Sequence, residues 1–261
     1  MVDNSQNSNE WVTSHQTFER MERAGYLPAL RKIAMGCCIP FWWHGARADG
    51  SYGIFHNGTL CLVNTGTRQF GVTASHVYKQ YICDKTSNET IVCQFGSSTI
   101  LPEEYLIEYS EEQDIVTFEL SDIIIGATGA SAHHSLAWPP EPLQEGEVII
   151  VGGYPGILRT ERPTTADIPF QWFAQAITSV SPINLGLHLN LQSLHWLNRD
   201  ERFNPVLGGM SGGPVFRLIS TPIERLELVG FIYEYQENFE LMLARPASCV
   251  CVDGSLSAVL L

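Results

Sequence analysis

Positive charge is scarce in this 261-residue chain: 15 Lys and Arg stand against 28 Asp and Glu, a formal net charge of −13. A nucleic-acid partner calls for Lys and Arg clustered on one face, so that class is excluded. Long apolar runs are missing too, and nothing approaches the roughly 20 residues of a membrane span. The opening MVDNSQNSNE has neither a basic stretch nor an apolar core. It does not read as a secretory signal, and a cytoplasmic location is the expectation. Cysteine occurs at 37, 38, 61, 83, 93, 249 and 251, but never as a CxxC pair. Without an export signal this odd set predicts reduced thiols, and no zinc-type spacing joins it to His56, His133 or His134. No metal or other cofactor is expected.

What is present is an ordinary globular composition, 44% hydrophobic and 16% charged, able to bury a core. From Glu10 to about Ile33 the pattern is helical, with Trp11, Phe18, Met21 and Gly25 near the 3.6-residue period. A break at Pro28 and a short second turn through Leu30 and Ile33 close this extension. The helix signal then fades. About a dozen short β-leaning runs follow, from CIPFWW through GTLCLV, FGVTA, DIVTFEL and EVIIVGG to PVFRLI, LELVGFIYEY and FELMLA, separated by Gly, Pro, Asn and Asp clusters. That punctuation predicts an all-β sandwich or barrel architecture. Residues 126–146 read as the crossover between two halves, and Trp42 and Trp43 as staples of the first strand in the core.

Three short motifs carry chemistry: VTASHV with His76, QDIVTFEL with Asp114, and GGMSGGPVF with Ser211. Nucleophilic serine catalysis needs an imidazole to take the hydroxyl proton and a carboxylate to hold the right tautomer. It also needs backbone N–H donors for the oxyanion. Gly209 lets the chain turn its amide inward, and Gly212 and Gly213 permit close backbone approach. The same stretch matches G-x-S-x-G, but an α/β-hydrolase needs its acid and histidine after the serine, and the last histidine here is His195. A subtilisin order would need an acid before His76, where only Asp3 and Asp49 stand as aspartates, and the βαβ pattern is missing. The order that remains is His, Asp, Ser on a β-rich chain. The other acids of EEQD, Glu111 and Glu112, read as a solvated turn rather than a metal site.

On these motifs the chain resembles the trypsin-like (chymotrypsin-fold) serine peptidases, of the bacterial intracellular type. GMSGGPVF is similar to the family's G-x-S-G-G-P, VTASHV to T-A-x-H and DIVTFEL to D-I-A-x-x-x-L. The spacings agree: Asp114 follows His76 by 38 residues and Ser211 follows Asp114 by 97. The resemblance covers roughly residues 37 to 250 and implies two six-stranded antiparallel β-barrels, about 36–125 and 145–255, in a peptidase domain 36–261 behind a helical extension 1–35. It implies a serine endopeptidase acting on a protein or peptide through an acyl-enzyme, with His76, Asp114 and Ser211 as catalytic residues. Gly209 and Ser211 would lend the oxyanion N–H groups, and Tyr233, Glu234 and Tyr235 would line the substrate. Met210 replaces the aspartate that pairs with a newly cut N-terminus in animal members, so activation by that route is not expected. Pro205 stands where a charged specificity residue is sought, and the serine at Ser75 reads as a conservative change from alanine. Two other readings stay open: an enzyme latent until a regulatory partner or substrate engages, and a trypsin-fold binding or scaffold module with little turnover.

Overall fold

Phe41 and Trp43 point to one side of their strand and Trp42 to the other, and this two-residue period organises the first half of the molecule. The computed structural model describes residues 22–23, 25–46, 52–88, 90–161, 166–189, 195–196, 207–219 and 225–258. Its first sheet contains β1 (Cys38–Ala46), β2 (Tyr52–Asn64), β3 (Gln69–Thr73), β4 (Val92–Phe95), β5 (Ser98–Thr99), β6 (Leu106–Ser110), β7 (Ile115–Glu119) and β8 (His133–His134). They run in the order β5-β4-β1-β2-β3-β7-β6, all antiparallel, with β8 added parallel to β2. On the inner face Phe41 meets Phe95 edge-on at 4.9 Å, and Tyr78 meets Phe118 at 5.3 Å. Trp43 is buried in this aromatic core. Trp42 instead stacks on Phe55 on the opposite face at 5.1 Å, with its ring N–H donating to the Gly96 carbonyl. Both tryptophans are buried, as expected, but on opposite faces of the strand.

The second sheet contains β9 (Val148–Gly153), β12 (Gln171–Ala176), β13 (Ser179–Val180), β14 (Leu185–His188), β15 (His195–Trp196), β16 (Pro214–Ile219), β17 (Arg225–Gln236) and β18 (Leu241–Pro246). Its order is β13-β14-β18-β17-β16-β9-β12-β15, and a separate ribbon pairs β10 (Thr160–Glu161) with β11 (Ala166–Asp167). Mostly antiparallel β-structure in two large sheets is thus the architecture, and the expected β-leaning runs fall on its strands. Among the described residues no pairing joins the edge strands of either eight-stranded sheet, so closure into two six-stranded barrels is not shown. A shared core joins them: Cys61, Val63, Phe70 and Val72 of the first sheet pack with Ile150, Trp172, Phe216 and Phe231 of the second. The 126–146 segment does cross between the sheets, but it also contributes β8 to the first one.

Helix appears where the hydrophobic period is clear and also where it is not. Helix α1 (Leu27–Gly36) buries Leu30 and Ala34, one turn apart, in the shared core, while Ile33 is exposed. Pro28 lies in the first turn, where a missing N–H costs nothing, so it opens the helix instead of breaking it. The break falls at Gly25, whose positive φ of 76° turns the chain. The rest of the expected extension, residues 1–21, lies outside the described residues. Helix α2 (Ser75–Ser87), unexpected from the sequence, packs Val77, Tyr78 and Tyr81 onto the aromatic core. A short α3 (Asp122–Ala127) is capped by the Ser121 hydroxyl. Among the described residues no helix is long and apolar enough to cross a membrane.

Candidate active site

His76 is the second residue of α2, directly after β3 delivers the chain to the sheet edge. Its N–H is one of the first-turn donors that an α-helix cannot satisfy internally. Asp114 satisfies it: Oδ1 accepts from the His76 N–H at 2.9 Å and from the Ser75 hydroxyl at 2.8 Å. The second oxygen, Oδ2, contacts His76 Nδ1 at 2.8 Å. A carboxylate can only accept, so Nδ1 carries a proton and Nε2 is the ring nitrogen left for proton exchange. Burial opposes ionisation of Asp114, but the hydrogen bonds and charge of His76, with help from Ser75, outweigh it and lower the carboxyl pKa. The helix N-terminus favours the anion further. Asp114 is 20% exposed and His76 50%, so the acid is sheltered while the ring faces solvent.

Asp114 takes a φ of +50°, a left-handed conformation that a non-glycine residue adopts only when its surroundings hold it there. Several contacts hold this loop. The Gln113 N–H donates to the Ser110 hydroxyl, and the Gln113 side-chain amide donates to the Ser257 carbonyl. The buried Arg245 of β18 donates to the Gln113 and Glu112 carbonyls from the other sheet. Glu111 is engaged by Lys79 at 2.7 Å and by the Tyr109 hydroxyl, and Asp122 accepts from Gln69, so these other acids have partners of their own. Among the described residues no cluster of three or more His, Cys, Asp or Glu side chains is arranged to hold a metal.

Ser211 lies in the second of two consecutive tight turns. Met210 donates to the Leu207 carbonyl and Gly213 to that of Met210, while Gly209 and Gly212, the third residue of each turn, have φ of 97° and 89°. Positive φ at that position is what a type II turn requires. A Cβ on Gly212 would lie 2.0 Å from the Thr59 carbonyl oxygen and 2.8 Å from Thr73 Cα, so this turn rests directly on β2 and the end of β3. The Thr59 N–H also donates to the Ser211 carbonyl at 2.9 Å. The serine loop of the second sheet is thereby set against the strand end from which His76 follows three residues on. Among the described residues the N–H groups of Gly209 and Ser211 have no acceptor, whereas those of Met210, Gly212 and Gly213 do. The Ser211 hydroxyl donates to the Tyr233 carbonyl at 3.5 Å and makes no hydrogen bond with His76.

Of the expected substrate-lining residues, Glu234 is exposed and Tyr235 half-buried, but the Tyr233 side chain turns inward. Its hydroxyl donates to Asn184 Oδ1 at 3.0 Å and its ring lies 4.2 Å from the Arg245 guanidinium. A bulge between Ile232 and Glu234 explains this, because the extra residue breaks the alternation and leaves the carbonyl of Tyr233, not its ring, toward Ser211. Pro205 lies outside the described residues. The sequence pattern missed two contributors. Ser75 is a hydrogen-bond donor to the acid and not merely a conservative replacement, and Arg245 is distant in sequence, with no motif to mark it.

No family model matches the chain, and no curated protein matches it either. One solved structure, reported for the coupled folding and binding of the intrinsically disordered Sesbania mosaic virus VPg protein, is similar over 78% of this chain and 85% of its own. The identity is 13% and the TM-score 0.43, a likeness too slight to carry an argument.

Proposed function

We propose that the chain is a serine endopeptidase of the trypsin-like kind, its two sheets corresponding to the two six-stranded barrels of that fold. The observation that carries the reading is the His76–Asp114 pair, with Nδ1 held by the carboxylate, together with the Ser211 turn, where among the described residues the N–H groups of Gly209 and Ser211 have no acceptor. In this reading Ser211 Oγ attacks a peptide carbonyl carbon as its proton passes to His76 Nε2. The carbonyl oxygen takes the negative charge and is met by the N–H groups of Gly209 and Ser211. Collapse breaks the C–N bond, His76 returns the proton to the leaving amine, and a water repeats the sequence to free the acid and restore Ser211. Asp114 stabilises the imidazolium in both halves. The backbone of Tyr233, Glu234 and Tyr235, running from the carbonyl that faces Ser211, is the edge against which an extended peptide would lie.

A second reading has its own support. The Ser211 hydroxyl is turned to the Tyr233 carbonyl and is not joined to His76, the arrangement of an enzyme at rest that closes its triad when substrate or a partner protein engages. Labelling with a fluorophosphonate, read by intact mass, separates the readings. The chain is expected to gain one adduct, at Ser211, lost in both Ser211→Ala and His76→Ala with the fold retained. Labelling that needs added peptide or partner supports latency, and no labelling under any condition supports a scaffold.

A further inference from the structure

Arg245 presents an unusual set of contacts. It is 9% exposed, and among the described residues it forms no ion pair with a carboxylate. Its donors go instead to neutral oxygens: Nε to the Gln113 carbonyl at 2.5 Å, Nη2 to that of Glu112 at 3.3 Å, and Nη1 to the Ile183 carbonyl at 2.9 Å and Asn184 Oδ1 at 2.6 Å. Burying a guanidinium is costly unless its donors are satisfied, and here the planar fork is shared between the backbone of the 112–113 loop of the other sheet and residues 183 and 184 of its own. The two carbonyls of that loop belong to the residues immediately before Asp114, whose left-handed backbone persists only under external constraint. On its other side the guanidinium covers the Tyr233 ring, and the Tyr233 carbonyl receives the Ser211 hydroxyl.

We infer that Arg245 is a positioning residue: it fixes the backbone that aims the Asp114 carboxylate at His76, and couples that aim to the strand carrying the Ser211 contact. The inference rests on Asp114 acting as the acid of a serine nucleophile. Its consequence is that the second sheet supplies both the nucleophile and the part that orients the first sheet's acid. Docking of the two sheets then completes the site.

The test uses the full chain with Arg245→Met, which keeps an apolar stem of similar reach, and Arg245→Lys, which keeps the charge but loses the fork. Two signals are read: the fluorophosphonate labelling rate, and the downfield NMR resonance of the hydrogen-bonded His76 Nδ1–H. Arg245→Met is expected to slow labelling about tenfold to a hundredfold, the scale on which small misplacements act, and to weaken or abolish the resonance. Arg245→Lys is expected to recover part of both. In an Asp114→Asn background Arg245→Met should change labelling less than about twofold, because the residue acts through the acid. If Arg245→Met does not fold, Arg245→Lys decides, with a wild-type resonance overturning the inference. A folded Arg245→Met with an unchanged resonance, or full additivity with Asp114→Asn, overturns it too. Should the wild-type chain never label, the peptidase reading fails on that result, and the His76 resonance still decides the role of Arg245.

Discussion

Asp114 meets several demands at once: it caps a helix N–H, accepts from Ser75, orients His76 and tolerates a left-handed backbone. The charge on its carboxylate is what makes these contacts worth their desolvation, so its contribution depends on pH. Its folded-state pKa is lowered, so the ionised group stabilises the fold fully above the unfolded carboxylate value of roughly 4, and that stability fades as pH falls through the lower folded value. Asp114→Asn should therefore be less stable than wild type near pH 6, with the gap beginning to narrow below about pH 4 and closing only at more acid pH, as read from urea unfolding over a pH series. A gap that does not depend on pH would assign the loss to shape alone. The same substitution leaves an amide where the proton acceptor was, and labelling near neutral pH should fall on the order of 10⁴-fold.

Helix α1 shows how an element outside the sheets can matter to them. Leu30 and Ala34 fall on one face and enter the core in which strands of both sheets meet, a cluster that also holds Cys37, Cys38 and Phe231. Truncating Leu30 to alanine leaves a cavity at that junction, and the expected cost is about 2–4 kcal/mol, read from the midpoint of a denaturant transition with an unchanged slope. A loss below about 0.5 kcal/mol would mean that the helix lies on the sheets without being part of them. Helix α2 has the opposite character. Its buried residues include the adjacent Val77 and Tyr78, with Tyr81 a turn later, a pattern too short to stand out as an amphipathic stripe. Its helicity comes from packing on the aromatic core, and it carries His76 in its first turn.

At the scale of the whole molecule, the candidate site exists where the two sheets touch. Gly212 marks that contact, because any Cβ there would strike the Thr59 carbonyl oxygen and the Thr73 side chain while demanding a strained backbone. Gly212→Ala should cost about 3 kcal/mol or more, and should slow labelling further than the loss of folded protein accounts for. The comparison is labelling rate per folded molecule beside a thermal melt. Equal stability and labelling would show that the sheets can part at this point without consequence.

The sequence by itself determined the strands that alternate or run apolar, the turn glycines around Ser211, and the order His76, Asp114, Ser211. These are local properties, written in side-chain period and backbone permissiveness within a few residues. Helix α2 was not legible because its stability is borrowed from the core, nor the bulge that turns Tyr233 inward, because it depends on register with β18. Ser75 had the right chemistry, but only the fold could bring its hydroxyl to Asp114. Arg245 left no local mark at all. The tertiary structure alone brought it against Gln113, 132 positions earlier in the chain, since such a contact depends on how two sheets dock and not on any pattern along one of them.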